Sequence, residues 1–342
     1  MTQTDYSILD WPRASGESVA NYKIRSQPAD FFVQEELSFV QSGEGEHVYL
    51  LLEKTGQNTV AIAERLAALA QVPLRNIGYA GLKDRHAVTR QWFSVQLPNL
   101  KPGGWQQLES DDLRLIKIGL HARKLKKGAV KCNRFRLLLK DVQGHRARIN
   151  DRLKWIDQHG VPNYFGEQRF GQQAENVNNA VAWLTGKRKS PGRYLKGIYI
   201  SSIRSYLYNQ ILGFRVADNT WSQAVAGDIF ILNGSNSCFH CHDLSDEILQ
   251  RIQLLDIHPA LVLFGQQGGL DNSGKAKQLE QLILKQYPDL TNGLAAIGVK
   301  KAWRSSRLAV TKLDWKWVGA ENLQLSFELP SGGYATSVLA EL

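Results

Sequence analysis

A single carboxylate, Asp84, stands among four basic side chains, Lys83, Arg85, His86 and Arg90. Close cations favour the ionised form of an acid and leave it charged and nucleophilic at neutral pH. No second acid lies nearby in the sequence, so a paired-carboxylate mechanism has no local partner. Small and apolar residues (Ile77, Gly78, Ala80, Gly81) precede Asp84 and allow close backbone packing. After it, Gln91-Trp92-Phe93-Ser94-Val95 reads as a strand from its aromatic and β-branched content. The same residues also suit a solvated turn, where a lone aspartate caps a helix or pairs with a lysine.

A second candidate lies in Lys131–Leu139. At strand period Asn133, Phe135, Leu137 and Leu139 share one face. An inward amide beside an aromatic ring can hold a base by hydrogen bonding and stacking, although Phe135 alone is equally a core residue. The third is Val161-Pro162-Asn163-Tyr164-Phe165-Gly166-Glu167-Gln168-Arg169-Phe170-Gly171, a dense mixture that suggests a structured loop presenting rings and cations.

Charge points the same way. The 342-residue chain has a net charge of +10, and Arg114–Arg148 holds twelve Lys/Arg against the single acid Asp141. A second acid-free cluster runs from Lys187 to Lys196. Localised positive charge suits a polyanion, usually nucleic acid, though a solvated basic face is the plain alternative.

The elements that must position these groups are legible in outline. Asp30–Glu35 alternates as a strand, and a Gly45-Glu46-His47 turn leads into a buried strand, Val48–Leu52. A helix capped by Asn58 or Thr59 runs to about Ala70, with Pro73 after its end. Another covers Ala147–Gln158 with Gly160 as its stop, and Ser202–Gln210 is a helix read mainly as packing. Leu323–Leu329 alternates as a late strand, and residues 1–20 read as a loose leader. At 43% hydrophobic and 22% charged the composition is ordinary for a soluble globular protein. Apolar runs are too short to span a bilayer, there is no signal-peptide core, and three cysteines make no disulfide framework. The expectation is a cytoplasmic protein with no membrane association and, lacking an apolar assembly stripe, a monomer.

Gly81-Leu82-Lys83-Asp84-Arg85-His86-Ala87-Val88-Thr89-Arg90-Gln91 resembles the G-x-K-D-x-x-A-x-T-x-Q signature of the TruD family, tRNA pseudouridine synthases that in bacteria act on uridine 13. Other blocks follow in order. Asp30–Glu35 resembles D-F-x-V-x-E, with Lys23 at a lysine upstream of it, and Asn133–Phe135 resembles N-x-F. Residues 163–171 resemble N-Y-F-G-x-Q-R-F-G, and residues 330–338 resemble P-x-G-x-F-A-T-S-V with Tyr334 in place of phenylalanine.

The resemblance implies an α+β fold of the pseudouridine-synthase type, with a mixed, mainly antiparallel sheet and helices. A second α/β domain interrupts it, giving a V-shaped molecule. The implied division is a discontinuous catalytic domain, 1–158 and 306–342, with an inserted domain at 159–305. It implies Asp84 as catalytic residue and tRNA as partner, held in a basic cleft between the domains. Phe135, Asn133, Tyr334, Lys23, Lys83, Asn163, Phe165 and Arg169 are the implied substrate-binding residues. The isomerisation involves no redox change and no net hydrolysis, so no cofactor or metal is expected. A non-catalytic RNA-binding protein or chaperone on the same fold is the alternative.

Two motifs are expected to be decoys. Gly269–Lys275 has P-loop spacing but is followed by Ala276, which has no hydroxyl for magnesium. Cys238-Phe239-His240-Cys241-His242 has half of a zinc spacing and no second Cys/His pair, so reduced cysteines are expected.

Overall fold

A computed structural model describes Tyr6 and residues 10–97, 104–241, 244–266 and 268–342. Most of the expected leader up to residue 9, and His242, lie outside them. The chain begins with β1 (Asn21–Lys23), β2 (Phe31–Leu37), β3 (His47–Thr55) and α1 (Thr59–Leu69). Then come β4 (Ile77–Tyr79), β5 (Val88–Gln96), β6 (Leu113–His121), β7 (Val130–Gln143) and α2 (Arg146–His159). The next stretch holds β8 (Val161–Pro162), α3 (Glu175–Leu184), α4 (Arg193–Ala217), β9 (Ile229–Leu232), β10 (Cys238–His240) and α5 (Asp246–Gln253). It continues with β11 (Ile257–Leu263), α6 (Gly274–Leu284), α7 (Pro288–Ala296), β12 (Ala302–Ser305) and β13 (Arg307–Leu308). The chain closes with β14 (Thr311–Val318), β15 (Asn322–Pro330) and α8 (Ala335–Ala340).

These elements form two compact units. One contains 20–148 and 310–332; the other contains 149–309, 333–342 and the described residues up to 19. Most of α2 and the stretch containing Tyr334 therefore group with the second unit, whereas the expected division set them with Asp84.

The first unit is built on a sheet in the order β14-β15-β7-β2-β5-β3-β6, with β1 also on β7 and β4 on β5. β2 and β5 are parallel, and the remaining pairs are antiparallel. This is the mixed, mainly antiparallel sheet expected from sequence. Period-two alternation along β7 buries Asn133, Phe135, Leu137 and Leu139, as the pattern required. Helix α1 lays Ile62, Ala63 and Leu66 on Leu50, Leu52, Phe93 and Val95. Each fully buried side chain of this size contributes roughly 1.5–3 kcal/mol, so the layer fixes β3 and β5 firmly.

The second unit is organised around α4, whose Ile203, Leu207 and Leu212 are completely buried. The sheet β10-β9-β11-β12 accompanies it. Arg204 donates to the carbonyls of Leu263, Phe264 and Lys300, so this helix does serve packing. Buried Arg215 and Asp228 form a two-pronged ion pair at 3.0 Å. Gly160 ends α2 at φ +69°, and a Cβ there would meet the Leu308 carbonyl oxygen at 2.5 Å. Only glycine suits that close β8–β13 approach.

The described part of the leader is not loose. Trp11 stacks on Tyr164 at 5.9 Å, and Ser15 donates its backbone N–H to Glu341 at 2.9 Å. Aromatic burial explains the order: Trp11 and Tyr6 find partners in Tyr164 and Tyr206, far away in sequence. Among the described residues no helix is long and apolar enough to cross a membrane.

Candidate active site

Asp84 sits in the connection between β4 and β5, and its loop is pinned from behind. Gln91, wholly buried on β5, donates to the Gly81 carbonyl at 2.7 Å and accepts from Thr59 Oγ1 at 2.9 Å. Thr59 Oγ1 in turn accepts the Lys83 backbone N–H at 3.0 Å. Gly81 holds φ +141°, a conformation that lets the chain turn away from the sheet here. A third anchor is Lys54, whose ammonium donates to the carbonyls of Gln57 at 2.7 Å and Asp84 at 3.2 Å.

The carboxylate itself is 19% exposed and meets Arg25 Nη2 at 2.8 Å. Its other oxygen accepts the backbone N–H of His86 at 3.0 Å. Arg25 adopts φ +58°, in the left-handed region, where a side chain costs roughly 1–2 kcal/mol. Its guanidinium also lies 4.2 Å from the centre of the Phe31 ring. Arg85, by contrast, donates to the Gly56 carbonyl, and Arg90 pairs with Glu53. The cation that holds Asp84 comes from outside the motif.

Asn133 and Phe135 reach this place through strand register. Glu35 on β2 is directly opposite Asn133, and Phe327 on β15 is opposite Phe135. Lys83 Nζ lies 2.6 Å from Asn133 Oδ1 and 3.0 Å from Glu35 Oε1. Glu35 is 1% exposed and also accepts the Trp92 backbone N–H. Phe135 stacks on Phe327 at 5.3 Å, meets the edge of Phe31 at 6.2 Å and is 6% exposed. Asp84, Arg25, Phe31 and Phe135 thus form one contiguous chain of contacts, joined to Lys83, Glu35 and Asn133.

The expected substrate residue Lys23 is exposed at the end of β1 and pairs with Asp141 at 2.8 Å. That partner raises the Lys23 ammonium above its usual range. Arg25, two residues later, is the one that reaches Asp84.

The second unit brings the other four expected residues together. Phe165 exchanges two backbone bonds with the Asn209 amide, each 2.9 Å. Arg304 lies 4.1 Å from the centre of its ring, and Arg169 lies 5.4 Å away. Arg304 also donates to Asn163 Oδ1, while Asn163 donates to the Ser305 carbonyl. Arg169 donates to the Tyr334 hydroxyl at 2.9 Å, and Tyr334 meets Phe165 edge-on at 6.2 Å. The hydroxyl that replaces the family's phenylalanine therefore has its partner. Burial pulls the Arg304 guanidinium below its usual range.

Arg25, Lys54, Glu35 and Arg304 are members of these clusters to which the sequence assigned no role. For Lys54 a signal existed: a lysine two residues beyond the apolar run Val48–Leu52. For Arg25 and Arg304 there was none.

The decoy segments have structural partners. Asp271, inside the P-loop-like stretch, pairs with both Lys277 and Lys301. Among the described residues no disulfide joins Cys132, Cys238 or Cys241. Among the described residues no three His, Cys, Asp or Glu side chains converge as metal ligands would.

Known proteins resemble the chain along nearly its whole length. A family model described as tRNA pseudouridine synthase D (TruD) matches residues 14–188 and 188–342. The chain is 42% identical over 333 residues to tRNA pseudouridine synthase D of Methylococcus capsulatus, covering 97% of this chain and 94% of that one. It is 43% identical over 326 residues to the protein of that name from Nitrosococcus oceani, covering 95% and 91%. A crystal structure from Methanosarcina mazei that bears the TruD name superposes with a TM-score of 0.72 at 19% identity, over 96% of this chain and 95% of that one. At that identity the superposition speaks for the fold alone.

Proposed function

The chain belongs to the TruD family of tRNA pseudouridine synthases, and on that premise we propose that it isomerises uridine to pseudouridine in tRNA, at position 13, with Asp84 as nucleophile. The observation that carries the assignment of Asp84 is its setting. One carboxylate, partly exposed and ion-paired to Arg25, sits on a loop tied down by Gln91, Thr59 and Lys54. Such pre-organisation holds a nucleophile in place before substrate arrives.

The reaction breaks N1–C1′, turns the base and forms C5–C1′; C5 loses a proton and N1 gains one. Asp84 forms the transient bond, at the sugar carbon or at the base. The target nucleotide leaves its stack, at a cost of a few kcal/mol. Phe135 recovers part of this by stacking on the base, at roughly 1–3 kcal/mol per contact. Asn133 offers its amide N–H groups to the base, because Lys83 occupies its oxygen. Phe165, Arg169, Asn163 and Tyr334 form a second substrate-binding cluster of ring and cation.

Exposed cations of the basic segments, among them Lys117, Arg123, Lys126, Lys127, Lys187 and Arg193, hold tRNA phosphates. Others in those runs are already engaged: Arg134 pairs with Glu328 and Lys140 with Asp30. Four or more phosphate contacts weaken binding about tenfold or more between low and moderate salt.

The deciding experiment incubates the purified protein with unmodified tRNA, without ATP or added metal, and maps pseudouridine by chemical tagging. One new site at position 13 is expected, lost in Asp84→Asn while tRNA affinity is largely kept. Absence of any new pseudouridine in every buffer overturns the assignment. Asp84→Asn with full activity overturns the role of Asp84.

A further inference from the structure

Lys54 is one of the largest fully buried side chains in the protein, at 0% exposure. It lies near the end of β3, with uncharged Thr89 and Leu113 opposite it on β5 and β6. Among the described residues no carboxylate forms an ion pair with it. Its nitrogen instead donates to two main-chain oxygens, those of Gln57 and Asp84. The charged groups that act on it are Asp84 and Glu35, which favour the ammonium, and Lys83, which opposes it.

This is a costly arrangement for stability. A buried ammonium held only by carbonyls gives up its hydration without a countercharge, and an apolar residue of similar length would be cheaper. The arrangement makes sense in the context of Asp84. The ammonium grips the backbone of the residue whose carboxylate faces Arg25, and it adds a positive charge behind the loop in a poorly hydrated place.

We propose that Lys54 is a positioning residue for the isomerisation: its buried ammonium fixes the backbone of Asp84 and sets a positive charge beneath the loop. The proposal rests on the reading of Asp84 as nucleophile. It makes the rate depend on a proton buried beneath the loop. Burial brings the Lys54 ammonium down to about 8, so the charge is present at neutral pH and lost as pH rises through that value.

The test compares parent, Lys54→Met, Lys54→Arg and Asp84→Asn in single turnovers at saturating tRNA, from about pH 6.5 to 9, alongside tRNA affinity and thermal unfolding. The parent rate is expected to fall above about pH 8. Lys54→Met is expected to unfold no earlier than the parent and to bind tRNA within about twofold. Its rate at neutral pH is expected to drop about a hundredfold and to lose the alkaline fall. Lys54→Arg, which does not titrate in this range, is expected to recover part of the rate and carry the fall beyond the range. Uridine's own ionisation is common to all variants, so the comparison isolates Lys54. A Lys54→Met protein with the parent rate overturns the proposal, as does a Lys54→Arg profile that falls where the parent's does. If Lys54→Met does not fold, the Lys54→Arg profile decides alone. Activity in Asp84→Asn overturns the reading of Asp84 instead, whereas an inactive Asp84→Asn beside an unaffected Lys54→Met overturns only the role of Lys54.

Discussion

Lys83 Nζ lies 2.6 Å from Asn133 Oδ1, so two side chains expected to meet substrate hold one another in the free protein. A lysine only donates, so the contact fixes which end of the Asn133 amide is the oxygen. Lys83 also neutralises Glu35, which is buried. Lys83→Met therefore leaves a buried carboxylate without its cation, a change that costs about 3–5 kcal/mol. Adding Glu35→Gln removes the stranded charge and is expected to restore most of that loss. Urea unfolding of the two single variants and the double variant measures the coupling. Additive effects would dissolve the link between the pair.

Arg25 and Lys23 separate by the step they influence. Arg25 holds the Asp84 carboxylate, so Arg25→Met is expected to lower the single-turnover rate by about a hundredfold or more. Lys23 pairs with Asp141 on the surface, where such pairs contribute little to stability. Lys23→Met is expected to act through tRNA affinity, with a change of less than about tenfold, and to leave the bound rate intact. A larger rate loss for Lys23→Met than for Arg25→Met would reverse the assignment.

The resemblance sets Lys23 at a lysine upstream of the D-F-x-V-x-E block. Which cation turns toward Asp84 depends on the irregular pairing of β1 with β7 and on the left-handed backbone of Arg25. Neither feature has a sequence signature in a side chain other than glycine. Local periodicity was reliable where one face is buried: Asn133 and Phe135 point inward on β7 as the alternation required. Contacts across long sequence distances were not legible. The Tyr334 hydroxyl finds Arg169, 165 positions earlier, and Trp11 finds Tyr164, which orders a segment that composition alone marks as loose.

Phe135 tests the stacking step. Its ring already packs on Phe327, so truncation to alanine would combine a lost base contact with a core cavity. Phe135→Leu keeps most of the volume and removes the aromatic face. It is expected to reduce kcat/KM by about tenfold or more, in line with roughly 1–3 kcal/mol per stacked base. Thermal unfolding checks that the core survives. Phe135→Tyr, which keeps the π-face, is expected to retain more activity than Phe135→Leu. Equal rates in leucine and tyrosine variants would reduce Phe135 to a core residue.

The second unit carries two buried titratable groups whose effects on stability run in opposite directions. His258 accepts a bond from Arg307 Nε at 2.9 Å, and burial, then that guanidinium, brings the imidazole down to about 3. In the unfolded chain it titrates at 6.5, so between those values the unfolded state binds the extra proton and stability falls as pH drops. Burial pushes Glu280 up to about 7 from 4.5, so the folded state keeps a proton that the unfolded state releases, and stability falls as pH rises through that window. Glu280→Gln supplies an uncharged acceptor for the Asn272 amide and removes the second dependence. At about pH 4 the variant and parent are expected to be close in stability. By about pH 8 the variant is expected to be ahead by up to roughly 3 kcal/mol, since each tenfold change in proton affinity is worth about 1.4 kcal/mol. Urea unfolding at a series of pH values reads the difference directly, and a gap that stays constant with pH would mean that Glu280 carries no buried proton.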